Sequence, residues 1–188
     1  MMKYSIFKTL FGWMGVVEGE KGLKRIILPH SRRTEVKKII FQEFPGVKED
    51  SAYLKPFTDI LVRYCKGEKF TQCFSYDTAD YTKFLVTVWE TTQAIPWGEV
   101  RSYQWLSAQI KNPRAFRAIG NALGKNPFPI IVPCHRVIRS DGSLGGFSAP
   151  RGILLKQRLL QLEGVLFDSK GRVIDFKKKE QNRERRLR

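Results

Sequence analysis

The sequence predicts an α+β fold built from two domains. Its 188 residues are enough for two small hydrophobic cores. Strand-like runs and helical spacing share the first part of the chain, whereas short helical segments dominate from Tyr81 onward. The change follows the polar stretch Asp77-Thr78-Ala79-Asp80. We therefore expect an N-terminal α/β scaffold domain over residues 1–80 and a mainly helical C-terminal domain over residues 81–176.

Three strand-like runs open the chain. They cover Tyr4 to Lys8, Trp13 to Val17 and Leu23 to Leu28, and turn-rich segments separate them. This spacing predicts an antiparallel meander, which Pro29 is expected to close.

Two helices are predicted to follow the meander, from Glu35 to Phe44 and from Tyr53 to Tyr64. A short strand is predicted near residues 70–74. This half of the chain has no convergent cluster of polar residues, so we interpret it as scaffold. Near the other end, Ile153 to Glu163 is predicted to be helical, with Gly164 at the position of a C-terminal cap.

The central part of the chain predicts a helix-turn-helix arrangement. Ser102 can cap a helix that runs to about Lys111. Asn112-Pro113 would end it, and Pro113 suits the first position of the next helix. A turn of about three residues would then lead into a second helix, Arg114 to Gly124.

The second helix separates into two faces. One carries the apolar residues Phe116, Ile119 and Leu123. The other carries polar and basic residues flanked by small ones, so that the helix backbone could approach a phosphate chain. An ordinary amphipathic helix with a solvated basic face would show the same pattern. The polar face comprises Arg114, Arg117, Asn121 and Lys125, and its small neighbours are Ala118, Gly120 and Gly124.

The chain is strongly basic. It has 34 Lys and Arg against 18 Asp and Glu, which gives a formal charge of +16. Residues 177–188 hold seven Lys or Arg and two Glu, and we expect them to form a disordered basic tail. Most of the charge therefore belongs to the rest of the chain. Such a protein favours a polyanionic partner, most commonly nucleic acid, although a solubility charge or a thermophile's ion-pair surface would give the same count.

Cysteine usage and hydropathy restrict the setting. Three cysteines without a CxxC pair argue against a disulfide framework and against a cysteine-rich zinc site, and they favour a reducing intracellular compartment. The N-terminal apolar run is too short for a signal peptide. No stretch approaches the roughly 20 apolar residues of a membrane span.

The motif richest in chemistry is Pro133-Cys134-His135-Arg136-Val137, which follows the apolar run Ile130-Ile131-Val132. We expect that run to be a buried strand. Cys134 could be inert buried filler, a metal ligand or the nucleophile of a protease-like dyad. The metal hypothesis is weak, because His30 and Cys65 or Cys73 show no ligand spacing. Adjacent residues of an extended chain point to opposite faces, so direct contact between Cys134 and His135 would need a sharp turn or a bridging water.

Several motifs together resemble the active-site region of the O6-alkylguanine-DNA alkyltransferases. Their order and spacing make the resemblance specific, and it spans roughly residues 82–165. The N-terminal half matches only in pattern. The motifs are Ile95-Pro96, Gly98-Glu99-Val100 with Ser102-Tyr103, Arg117-Ala118-Ile119-Gly120, Asn126-Pro127-Phe128-Pro129, Pro133 to Val137, Leu159-Leu160, and Leu162-Glu163-Gly164.

The resemblance implies repair of DNA by direct reversal. The Cys134 thiolate would take the alkyl group from guanine O6, and O4-alkylthymine is a second possible substrate. Each molecule would act once, because the product thioether has no easy return. His135 would deprotonate Cys134 through a water, and Glu163 would orient His135.

The same resemblance assigns roles in substrate and DNA binding. Tyr103 would donate a hydrogen bond to the purine, and Arg117 would fill the stack that the flipped nucleotide leaves. Asn126 would bridge the helix and the active-site loop. The remaining assigned residues would line the pocket or contact the guanine edge: Pro129, the Val137 backbone and Ser148. Arg114 and Asn121 would contact DNA from the polar face of the second helix.

The resemblance also implies a ribonuclease H-like N-terminal domain and a winged helix-turn-helix C-terminal domain. The expected partner is double-stranded DNA that contains alkylated guanine, bound by a monomer that could act cooperatively. No cofactor, no metal and no membrane are expected. The protein would reside in the cytoplasm with the nucleoid, or in the nucleus of a eukaryote.

The chain departs from the family pattern in one loop, and two other functions are alternatives. Phe147 in the loop 145–152 replaces the tyrosine of many members, which bears on tolerance for bulky alkyl groups. A non-catalytic lesion-binding protein is the main alternative, and the presence of Cys134 distinguishes the chain from such proteins. A Cys-His hydrolase is a further alternative, and it would turn over an ester or amide substrate.

Overall fold

The computed structural model describes residues 1–71 and 74–174. It is a mixed α+β protein, as the sequence predicts. Two compact units are present: residues 1–81 with 127–131, and residues 82–126 with the described residues from 132 onward. The predicted basic tail at 177–188 and Cys73 lie outside the described residues.

The N-terminal unit is a four-stranded sheet with two helices. Its strands are β1 (Lys3–Thr9), β2 (Gly12–Gly19), β3 (Gly22–His30) and β4 (Lys48–Glu49), in the spatial order β3-β2-β1-β4. The predicted antiparallel meander is thus confirmed, and β4 adds to β1 in parallel. The helices α1 (Arg33–Glu43) and α2 (Lys55–Tyr64) confirm the two predicted helical segments to within two residues at each end.

Apolar side chains of α1 and the sheet form the core of this unit. Val36 and Ile40 of α1 are fully buried, as their helical spacing predicts. The turn into β2 requires glycine at position 12, where φ is +136° and a Cβ would lie 2.4 Å from the His30 carbonyl oxygen. The members of this cluster are Tyr4, Ile6, Val17, Ile27, Val36, Ile40 and Val47.

In its described residues, the C-terminal unit contains four α-helices and a small parallel sheet. Its elements are α3 (Lys83–Gln93), β5 (Arg101–Ser102), α4 (Tyr103–Gln109), α5 (Phe116–Gly124), a 3₁₀ turn (Cys134–Arg136), β6 (Val137–Ile138) and α6 (Ile153–Leu162). The Trp89 indole of α3 is fully buried and donates to the Ala122 carbonyl of α5 at 2.8 Å. This bond joins α3 to the helix pair α4 and α5.

Local signals explain where these helices begin and end. Ser102 caps α4 as predicted, since its hydroxyl accepts from the Trp105 amide at 2.9 Å. The α6 helix ends one residue before Glu163, and Gly164 follows with φ +83°, as expected of a C-terminal glycine. In the part of the chain that the structure describes, no helix has both the length and the apolar character to cross a membrane.

Several expectations about local structure are wrong in detail. The second helix begins at Phe116 rather than Arg114, and residues 110–115 connect it to α4 instead of a turn of about three residues. Pro113 disfavours helical geometry at Asn112, which is accordingly outside both helices. Pro113 and Arg114 therefore lie in this connection, which also contains Lys111 with φ +54°.

The apolar run before Cys134 is buried but is not a strand. Ile130 has φ +78°, which a β-branched residue rarely adopts. Pro129 and Pro133 flank the run, and proline donates no hydrogen bond to a sheet. Residues 127–131 belong to the N-terminal unit, where the Ile26 amide donates to the Pro127 carbonyl at 2.8 Å.

Two further differences lie in the N-terminal unit. Pro29 lies inside β3 instead of closing it, because β3 is an edge strand and tolerates a missing donor. Of the strand predicted near residues 70–74, the described residues Phe70, Thr71 and Phe74 are not in a strand.

Candidate active site

The chain turns sharply at Cys134. After Pro133 the backbone forms a 3₁₀ turn from Cys134 to Arg136, in which the Arg136 amide donates to the Pro133 carbonyl at 2.8 Å. Val137 then enters β6, which pairs in parallel with β5. The condition for bringing Cys134 and His135 near each other is therefore met. Their side chains nevertheless contact different partners.

His135 contacts the buried carboxylate of Glu163. Its Nε2 lies 2.8 Å from Glu163 Oε1, and both side chains are almost fully buried. Glu163 follows the last turn of α6, where a carboxylate is unfavourable beside the helix C-terminus. Specific partners compensate for that position. Besides the contact with His135, the Gly98 amide donates a long hydrogen bond of 3.5 Å to Oε2 of Glu163.

Arg136 supplies the positive charge that pairs with Glu163. Its Nε donates to Oε2 at 2.7 Å and its Nη2 to Oε1 at 2.9 Å, while Nη1 donates to the Ile95 carbonyl at 2.6 Å. This bidentate geometry is the strong form of an arginine–carboxylate contact. Arg136 lies inside the motif Pro133 to Val137, but neither the motif nor the resemblance predicts a role for it. Its signal would have been a second charged residue beside a buried histidine.

These contacts set the charge states of the pair. Burial lowers the pKa of His135 and outweighs the opposing effect of Glu163, so the ring is neutral near neutral pH. Burial alone would raise the pKa of Glu163, but the contacts with His135 and Arg136 lower it to about 2. Because a neutral ring carries no charge, Arg136 is the cation that keeps Glu163 ionised. A neutral His135 that donates from Nε2 has a basic Nδ1.

The Cys134 thiol is buried in a polar environment. Only 8% of the residue is exposed. The Asn126 side-chain amide donates to Sγ from 3.3 Å and to the Val132 carbonyl at 2.9 Å, and so links the end of α5 to the turn. Burial raises the pKa of Cys134, while the Asn126 hydrogen bond and the charge of Lys156 oppose that rise. The resting thiol is therefore protonated.

Cys65 shows what an inert buried cysteine looks like in the same chain. Its thiol lies 3.9 Å from the sulfur of Met14. Burial raises its pKa to about 11. The Asn126 amide, the nearby ammonium group and the neighbouring histidine distinguish Cys134 from this pattern.

Lys156 is a second residue that the sequence analysis missed. Its ammonium group is fully buried and donates to the carbonyls of Val137 and Leu144, each at 2.6 Å. Burial lowers its pKa to about 8, and Cys134 opposes the shift. The signal was present in the helical spacing, since Lys156 lies on the buried face of α6 with Leu159 and Leu160.

A cleft of about 790 Å³ opens beside α4 and α5. Tyr103 lines it, and the pKa of that phenol is raised by burial and by the neighbouring Cys134. Arg117, Arg139 and Gly145 also line it. The φ of Gly145 is +69°, and a Cβ there would lie 3.5 Å from the Tyr103 hydroxyl. The full lining is Tyr103, Gln104, Phe116, Arg117, Gly120, Arg139, Ser140, Asp141, Gly145 and Gly146.

The remaining candidate residues take varied positions. Arg114, Arg117 and Asn121 are all exposed, so the polar face of α5 is open to solvent. Gly120 has nothing within 4 Å of a Cβ, which leaves the backbone approachable. Ser148 is exposed, and its hydroxyl would lie 3.3 Å from a Cβ at Gly124.

Val137 and Pro129 are buried. The Val137 carbonyl is held by Lys156, whereas Pro129 belongs to the segment 127–131 of the N-terminal unit. Within residues 1–71 and 74–174, no group of three or more His, Cys, Asp or Glu side chains could hold a metal ion.

Known proteins resemble the chain over most of its length. The family model described as "6-O-methylguanine DNA methyltransferase, DNA binding domain" matches residues 83–165. A methylated-DNA–protein-cysteine methyltransferase of Sulfurisphaera tokodaii is 34% identical over 165 residues, covering 88% of this chain and 95% of that protein. One of Methanosarcina acetivorans is 36% identical, covering 87% and 99%.

Two solved structures are also similar to this chain in fold and in sequence. The Mycobacterium tuberculosis O6-methylguanine methyltransferase has a TM-score of 0.69 at 32% identity, covering 87% of this chain and 93% of that one. A Mycobacterium tuberculosis OGT in complex with DNA has a TM-score of 0.70 at 33% identity, covering 86% and 92%. Because relatives that are 34% and 36% identical match almost the whole of both chains, the chain belongs to the methylated-DNA–protein-cysteine methyltransferase family.

Proposed function

We propose that the protein repairs DNA by direct reversal, transferring the alkyl group of O6-alkylguanine to Cys134 in a single turnover. The observation that carries the proposal is a buried thiol next to a neutral histidine whose far ring nitrogen is held by an ionised glutamate. The relatives that match most of the chain are named for this activity.

The proposed reaction is a displacement at the alkyl carbon. The Cys134 sulfur forms a bond to that carbon, and the bond between the carbon and O6 breaks with its electron pair leaving on guanine. Guanine takes up one proton, which balances the proton that the thiol loses. Tyr103 would donate its hydroxyl to a purine ring nitrogen and so stabilise the leaving base.

His135 is the proposed base. Because Glu163 occupies Nε2, the nitrogen that exchanges a proton with the thiol is Nδ1, through a water molecule. Proton transfer creates an ion pair between imidazolium and carboxylate, which the buried site favours over an isolated cation. The nearby charge of Lys156 would stabilise the thiolate at the same moment.

Base extrusion is the proposed means of delivery. A guanine inside a duplex cannot reach a buried thiol, so the nucleotide must leave the stack at a cost of a few kcal/mol. The exposed cations that flank α5, Arg114 and Lys125, would hold the phosphates, and Arg117 would occupy the gap. Arg114 and Asn121 would contact the DNA backbone, and Ser148 and the Val137 backbone would contact the base.

We also propose the finer architecture that this function implies. The α4–α5 pair would be the helix-turn-helix, and β5 with β6 and the loop after it would form the wing. The sheet and helices of the N-terminal unit would be a ribonuclease H-like scaffold.

The experiment is incubation of the protein with a duplex that carries one isotope-labelled O6-methylguanine. We expect label on protein with wild type and with Cys65→Ala, which removes the inert buried thiol. Cys134→Ala should take up none. Undiminished labelling of Cys134→Ala would overturn the proposal. Tight binding of the lesion without transfer by wild type would instead favour a lesion-binding protein, which the presence of Cys134 disfavours.

A further inference from the structure

Phe116 does not join the buried face of α5. It shares a helical face with Ile119 and Leu123, which are 0% and 7% exposed, yet 45% of Phe116 is exposed. The spacing predicts one apolar stripe for all three residues, and the structure leaves Phe116 outside the buried part of it. Ala115 is buried instead, immediately before the helix begins. The buried stripe of α5 thus starts one turn later than the sequence suggests.

The exposed ring lines the same cleft as Tyr103 and Arg117. Arg139 also lines that cleft, and the exposed Arg114 precedes the helix. An apolar ring among cations is the composition of surfaces that hold nucleic acid, where cations take phosphates and apolar side chains take base faces.

Phe116 and Arg117 are adjacent at the first turn of α5. Successive residues of a helix point about 100° apart, so their side chains leave the helix start in different directions. Two such side chains can contact two surfaces of one opening. When a nucleotide leaves a duplex, the flanking bases each expose a face that was stacked before.

Resting on the proposed function, we propose that Phe116 packs its ring against a base next to the extruded nucleotide, as an apolar wedge beside Arg117. The occupant is therefore a base of the substrate DNA. An exposed phenylalanine without such a role would be a common surface feature. If the ring is a wedge, removing it slows alkyl transfer from duplex DNA but not from a free base. If it is an ordinary surface residue, removing it changes neither rate.

The test compares two substrates. The first is a duplex with one O6-methylguanine, and the second is free O6-benzylguanine, which has no stack to leave. Phe116→Ala should slow transfer from the duplex by about 10-fold, because stacking of a base on an aromatic side chain is worth about that much or more. Transfer from the free base should stay within about twofold. Phe116→Trp should retain the duplex rate, and Phe116→Leu should lie between.

The matched control is Phe41→Ala. Phe41 is a phenylalanine of similar exposure, 41%, but it lies on α1. It should leave both rates unchanged. An unchanged duplex rate for Phe116→Ala overturns the proposal, and so does an equal loss with the free base. Absence of transfer by wild type from the duplex would instead be a failure of the proposed function.

A fluorescence measurement identifies the contact. The fluorescent base 2-aminopurine is placed on the 5′ or the 3′ side of the lesion, and the unreactive Cys134→Ala protein is added with or without Phe116→Ala. Fluorescence should rise less with Phe116 than with Ala at one of the two positions. Equal fluorescence at both positions contradicts the wedge.

Discussion

Arg136 donates hydrogen bonds to both carboxylate oxygens of Glu163, from Nε to Oε2 at 2.7 Å and from Nη2 to Oε1 at 2.9 Å. The two residues are 27 positions apart, and both are buried. The contact fixes the plane of the carboxylate and therefore the direction from which it meets the ring of His135. It also supplies the charge that allows a carboxylate to remain ionised in a buried site.

Removal of Arg136 should destabilise the protein. Arg136→Met leaves the buried Glu163 carboxylate without its cation, so we expect the free energy of unfolding to fall by about 3–5 kcal/mol. Urea unfolding measures it. Arg139→Met is the control, because Arg139 is exposed. Adding Glu163→Gln to Arg136→Met should recover part of the loss, and a loss below about 1 kcal/mol would contradict the role of this pair.

The pH profile should reveal the base. Burial lowers the pKa of His135 and raises that of Cys134, so at neutral pH the ring can accept the proton that the thiol still holds. His135→Gln must instead use thiolate formed by solvent. Its rate with free O6-benzylguanine should be about 100-fold lower at pH 7 and rise tenfold per pH unit through pH 9. A parallel profile for wild type and variant would contradict the assignment.

Glu163 should make stability depend on acid pH. Its pKa of about 2 in the folded state is below the ordinary 4.5, so the stability that it contributes is present above pH 4.5 and is lost as the pH falls towards 2. His135 acts in the same direction at higher pH, because its lowered pKa means that the unfolded chain binds a proton first below pH 6.5.

Unfolding free energies measured from pH 7 to pH 3 separate these two effects. Glu163→Gln should flatten the decline below pH 4.5 and keep the decline that begins near pH 6.5. The same slope below pH 4.5 in both proteins would show that Glu163 is not held ionised in the folded state.

Lys156 should matter for both stability and the thiol. Lys156→Met leaves the carbonyls of Val137 and Leu144 without their donor, which should cost about 1–3 kcal/mol for each buried acceptor. The pKa of Cys134 should rise further, because a nearby positive charge is lost. Arg158→Met, an exposed change on the same helix, is the control. The pH dependence of thiol alkylation measures the pKa of Cys134 in each variant. The same Cys134 pKa in Lys156→Met and Arg158→Met would contradict this account.

Local patterns were enough to predict most of the elements. The meander β1–β3 and helices α1 and α2 follow from spacing within each segment, and the Ser102 cap and Gly164 mark helix ends through local chemistry. The run before Cys134 was misassigned, because its hydrophobicity predicts burial but cannot reveal the positive φ of Ile130.

Contacts between distant segments could not be predicted from spacing. Arg136 and Lys156 act through partners that are 12 or more positions away, so spacing within their own segments does not reveal these contacts. Phe116 was misplaced for a related reason. The helical pattern gives its face, but the start of α5 decides whether anything covers that face.

The most direct measurement is the intact mass of the protein after exposure to excess DNA that contains O6-methylguanine. The account predicts a gain of one methyl group per chain that stops there, with the added group on the peptide that contains Cys134. Removal of a second methyl group from the DNA by already alkylated protein, or a methyl group on any other residue of a protein that keeps Cys134 unmodified, would contradict it.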